Sequence, residues 1–90
     1  MVDLARRAFN SAESALRSAR QAWALAQTSE NAVFNAFERT KDEATRAALD
    51  AARAATGQMR IALCAASEAY DEAALVLQSA ESDELTEAAR

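Results

Sequence analysis

Between Val2 and Ala26 a bulky side chain returns every seventh residue, at Val2, Phe9, Leu16 and Trp23. Ala5, Ala12, Ala19 and Ala26 follow these by three positions, and Ala8, Ala15 and Ala22 stand one position before the next bulky residue. With the bulky residues at heptad position a, positions d and g are alanine throughout. A sustained seven-residue apolar repeat marks a helix that packs on another helix. A single ridge bordered by alanine grooves lets that partner approach closely.

The design continues at Phe37 and returns at Leu63, Tyr70 and Leu77, with Ala66, Ala73 and Ala80 three positions after each and Ala62, Ala69 and Val76 one before. Val2, Phe9, Leu16, Trp23, Phe37, Leu63, Tyr70 and Leu77 are therefore the expected helix-packing ridge.

Element boundaries are set by caps and turn residues. Asp3 suits the positive end of a first helix. Thr28-Ser29-Glu30-Asn31 contains good N-caps, and Glu30 falls where the next bulky a residue is due. Against a break there, the heptad phase runs on through Val33, Phe37, Ala44 and Ala51. Thr40-Lys41-Asp42-Glu43 matches a capping box that can start a helix at 41; a solvated polar turn within one helix is the preferred reading. Thr56-Gly57 is the clearest stop, since glycine after an alanine-rich run commonly forms a left-handed cap.

Length decides between the layouts. A helix from 2 to 55 would run to about 80 Å at 1.5 Å per residue, with only about half that length of chain left to cover it. Breaks near 28–30 and 56–58 instead give segments of similar length, as an up-down-up bundle needs. The expected fold is all-α: an alanine-rich antiparallel bundle of three helices, at about 3–28, 30–56 and 58–81. The alternative is a long helix 2–55 and a shorter one forming a hairpin that dimerises. Residues 1–81 form the expected single domain. Residues 82–90 are an acidic tail, expected to fray, with Ser82 available to cap a short last helix.

Composition supports helix nearly everywhere: 26 residues are alanine, Gly57 is the one glycine, and there is no proline. The same composition thins the core, because alanine buries little area. Close packing or a second chain is the expected remedy. Several apolar residues fall off the ridge: in the local frames Leu49, Ile61 and Leu75 take position f and Phe34 takes e. Ile61 and Leu75 share one face of the last helix with Ala65 between them. Phe34, Leu49, Ile61, Ala65 and Leu75 are the candidate partner or dimer interface, unless the last helix is simply the most buried one.

Charge and chemistry narrow the function classes. The net charge is −4, and residues 67–90 hold seven acidic groups against Arg90 alone. An acidic chain repels phosphate, so no nucleic-acid partner is expected. Arg6, Arg7, Arg17 and Arg20 lie outward on the first helix, where pairing with the acidic segment is expected. Without His, and with Cys64 as the only cysteine, neither a metal site nor an internal disulfide is expected; Cys64 reads as a small packing residue.

Glu68, Asp71 and Glu72 form a solvated charge run. No catalytic arrangement finds its residues, so no enzyme activity and no cofactor are expected. The opening residues have no apolar signal core and no stretch is long enough to span a bilayer, so a cytoplasmic location is expected. The expected function is a non-enzymatic protein-protein interaction module: a small acidic adaptor, inhibitor or regulatory subunit acting through a helical face on a protein partner or on its own copy. The alternatives are a self-assembling structural subunit and an amphipathic binder of lipid or granule surfaces.

Overall fold

A computed structural model describes residues 2–89; Met1 and Arg90, the outer ends of the expected domain and tail, lie outside the described residues. The chain is an antiparallel hairpin of two long helices, α1 (Val2–Thr40) and α2 (Glu43–Ala88). It extends over 72 × 14 × 13 Å.

The expected three-helix bundle is not found; the hairpin alternative is, with its turn moved. Residues 28–31 do not break α1. The Thr28 hydroxyl donates to the Ala24 carbonyl one turn back, at 3.0 Å, so it serves the helix instead of capping a new one. Thr56-Gly57 does not end a helix either. Gly57 lies within α2 and no glycine has positive φ. The Thr56 hydroxyl likewise reaches back to the Ala52 carbonyl at 3.0 Å. Without proline, nothing in these stretches removes a helical hydrogen bond.

The chain reverses at Lys41-Asp42, where a polar turn inside one helix is the preferred sequence reading. The Lys41 N–H makes the last bond of α1, to the Phe37 carbonyl at 2.7 Å. Its φ of 54° is the left-handed conformation that redirects a chain after a helix. Asp42 is extended, and its carboxylate accepts from the Thr45 N–H at 2.8 Å, giving α2 its N-cap. The side-chain-to-backbone half of the capping box is therefore made by Asp42 and Thr45, two residues later than Thr40 and Glu43. At the other end, residues 82–88 continue α2, and no new helix starts at Ser82.

Packing follows one seam. The Thr56 hydroxyl also lies 3.3 Å from the Ala26 carbonyl across the hairpin, which sets the register. Facing positions then run Val33 with Leu49, Trp23 with Met59, Leu16 with Ala66 and Val2 with Ala80. The a positions of α1 meet d positions of α2, and the a positions of α2 (Leu49, Thr56, Leu63, Tyr70, Leu77) meet Val33, Ala26, Ala19, Ala12 and Ala5. With few exceptions a bulky side chain faces an alanine, which brings the backbones close enough for a threonine to reach a carbonyl of the opposite helix. Among the described residues Ala5, Leu16 and Leu49 are buried. The Phe9 and Tyr70 rings meet with centroids 5.1 Å apart, tilted by 41°.

Candidate functional site

The eight ridge residues all line the seam. Leu16 is buried, and Val2, Phe9, Trp23, Phe37, Leu63, Tyr70 and Leu77 are partly buried. They hold the hairpin together. Leu49, a candidate for an outer interface, is the most enclosed residue described, at 3 % exposure, and it belongs to the core. Its phase explains the correction. With the turn at 41–42, Leu49 takes its frame from α2, where it stands fourteen residues before Leu63, at position a. Phe34, Ile61, Ala65 and Leu75 are exposed. Cys64, expected as a packing residue, is also exposed, as a free thiol on the outer side of α2.

An antiparallel seam built on a and d leaves two flanks, one where the e positions of both helices meet and one where the g positions meet. The e flank is charged. It carries Arg6, Glu13 and Arg20 from α1, and Arg46, Arg53, Arg60 and Glu81 from α2. Arg6 and Glu81 bridge it at 3.4 Å. This is the expected pairing of an outer arginine with the acidic segment. Arg17 pairs instead with Glu13 on its own helix, at 3.5 Å. Both pairs are largely solvated, so each contributes about 1 kcal/mol at most. A shallow groove on this flank, lined by Trp23, Gln27, Glu30, Arg53, Thr56 and Arg60, sits where the seam turns polar.

The g flank is of the opposite kind. On α1 its g and neighbouring c positions read Leu4, Ala8, Ser11, Ala15, Ser18, Ala22, Leu25, Ser29, Ala32, Ala36 and Arg39, with a single charged residue beside the turn. On α2, from Ala44 to Val76, the same positions are alanine except for Gln58, Glu72 and Val76. Leu4, Leu25 and Val76 stand on this flank, and Ile61 and Leu75 on the back of α2, opposite the seam; all five are more than half exposed. Phe34 and Leu85 lie elsewhere. Sequence reasoning found Ile61, Ala65 and Leu75 one helix at a time. It missed the flank because the flank exists only once the g positions of two correctly delimited helices are set side by side.

Among the described residues no group of three His, Cys, Asp or Glu stands together as a metal site, and no helix is long and apolar enough to cross a membrane. Asp42 is displaced from its ordinary range. The Thr45 N–H, and after it the Thr45 hydroxyl, hold its carboxyl below the usual value. That displacement belongs to the helix cap. No protein-family model matches the chain, and no curated protein or solved structure matches it.

Proposed function

We propose that this chain is a non-enzymatic protein-protein interaction module, an adaptor, inhibitor or regulatory subunit, whose working surface is the sparsely charged g flank. One observation carries the reading: the e flank holds seven charged side chains, whereas the g and c positions between Leu4 and Val76 hold only Arg39 and Glu72. Solubility alone does not demand such segregation. A helix pair whose only task is to fold gains by placing charges on both sides of its seam.

The net charge of −4 makes a protein a better partner than a nucleic acid. The free thiol of Cys64 suits a reducing compartment, so a cytoplasmic setting is part of the proposal.

The test is capture from cells that make the protein, using the immobilised chain. Leu4→Glu/Leu25→Glu alters the flank at positions 70 % exposed, so the hairpin itself is little affected. Arg53→Glu on the e flank is the control. The reading expects the double variant to lose the proteins that wild type and control retain. Identical recovery by all three overturns it.

A further inference from the structure

We infer that the arginine-rich stretch of the e flank, from Arg20 toward the turn, is a second docking surface, and that its occupant is an acidic amphipathic helix of another protein. This surface lies across the hairpin from the g flank and stands or falls independently of it.

Near the open end the charges of the e flank are matched. There Arg6 meets Glu81, and Glu13 meets Arg17. Toward the turn the pattern changes. In the register set by Thr56 and Ala26, Arg46, Arg53 and Arg60 stand across from Phe34, Gln27 and Arg20. All four arginines are exposed, and among the described residues none of them is in a salt bridge. Three acids lie nearby, Glu30 in the groove and Glu43 and Asp50 on the outer side of α2, and none of these pairs with them either. Arg20 and Arg60 set like charges against each other, which opposes pairing of the helices. A carboxylate placed between them reverses the sign. The remaining acids of α2 begin at Glu68, about 12 Å beyond Arg60 and past the Debye length of about 8 Å, so they do not cancel the stretch.

Aromatic side chains form the other wall. Trp23 and Phe34 lie three turns apart on one side of α1, the first partly buried and the second 40 % exposed. The groove beside Trp23 holds about 270 Å³, and Gly57, with open space where a Cβ would be, keeps its α2 wall low. Small-molecule pockets run from about 300 to 1,000 Å³, so this groove suits one anchoring side chain of a polypeptide. Tryptophan and arginine are also the residues that most often dominate protein interfaces.

Spacing selects a helix. Arg46, Arg53 and Arg60 recur every seventh residue, about 10 Å apart along α2. A helix laid alongside presents one carboxylate per heptad at that interval. Duplex DNA carries a phosphate about every 3.4 Å of each strand, so this row meets few of them while Glu30, Glu43 and Asp50 repel the rest.

Trp23 is the only tryptophan, so its emission reports on the groove directly. The probe is a synthetic helix of about three heptads, free of tryptophan, with one leucine and one glutamate per heptad. Its twin carries glutamine for glutamate. With the full chain at about 0.15 M salt, the glutamate peptide is expected to shift the Trp23 emission to the blue and to bind about tenfold more tightly than its twin. Arg53→Gln/Arg60→Gln is expected to lose about the same factor. Arg7→Gln/Arg39→Gln removes the same charge elsewhere, and Leu4→Glu/Leu25→Glu alters only the g flank. Both are expected to bind as wild type does. Each substitution puts a good helix former at an exposed position, so the hairpin persists.

An unmoved emission, equal affinity for the two peptides, or an equal loss in either control variant overturns the inference. So does a duplex oligonucleotide that binds more tightly than the peptide, or a wild-type dimer that Arg53→Gln/Arg60→Gln separates, which would make a second copy the occupant. None of these outcomes touches the g flank. In the capture experiment, proteins lost by Arg53→Glu alone belong to the surface described here.

Discussion

Gly57 and Asp42 show how a residue's meaning depends on the hydrogen bonds around it. Gly57 looks like a stop because glycine tolerates left-handed backbone, yet it sits in a right-handed helix with open space where a Cβ would be. Nothing local repays its flexibility. Gly57→Ala is expected to stabilise the hairpin by about 0.5–1 kcal/mol, seen as a rise of a few degrees in the thermal midpoint by circular dichroism. A fall would mean that the glycine is required by a contact absent from the isolated chain.

Asp42 is the reverse case, an exposed residue on which the turn depends. Asp42→Ala removes the acceptor for the Thr45 N–H and is expected to lower the midpoint by on the order of 5 °C at pH 7. The pH dependence follows from the direction of the shift. Because the folded carboxyl titrates below the unfolded one, its contribution is complete above the unfolded value of about 3.9 and is lost as pH falls through the folded value. The gap between wild type and variant therefore narrows in acid. A gap unchanged at pH about 3 would assign the effect to helix propensity instead.

At the scale of the element, the heptad was legible and its limits were not. Val2, Phe9, Leu16 and Trp23 announce α1, and Leu63, Tyr70 and Leu77 announce half of α2, because seven-residue spacing survives any error in the boundaries. Boundaries depend on short polar stretches that look alike. Thr28-Ser29, Thr56-Gly57 and Thr40-Lys41-Asp42 all resemble stops. The first two are neutralised by a threonine bonding back to its own helix, a choice that side-chain chemistry permits but does not announce. One misplaced boundary was enough to assign Leu49 to the wrong frame and turn a core residue outward. The difference is measurable. Leu49→Ala should cost about 2–5 kcal/mol by denaturant titration, whereas Leu85→Ala, at 73 % exposure in the native chain, should fall within about 0.5 kcal/mol of wild type. Equal effects would return Leu49 to the surface.

For the whole molecule, length replaces depth. The radius of gyration is 20.4 Å, where a compact 90-residue domain has about 12 Å. A three-helix bundle would bury some helical surface twice over, whereas the hairpin buries a single seam and leaves each helix a free back. The thin core is legible in the alanine count. How the chain compensates is not, because the compensation lies between helices that must first be paired correctly. The sparsely charged g flank was not legible for the same reason: it appears only when the two helices are set side by side in register.

The turn at Lys41-Asp42 also fixes how the molecule carries tension. Because the chain reverses only there, Val2 and Ala80 stand together at the end of the rod remote from it. A pull that separates the helices at that shared end opens the seam like a zipper. Each layer of a bulky side chain and its alanine bears the load alone, and the turn feels it last. A pull between that end of one helix and the turn-side end of the other loads every layer at once in shear. The same hairpin therefore yields readily when peeled and resists when slid, and its mechanical strength depends on where neighbouring structures take hold of it.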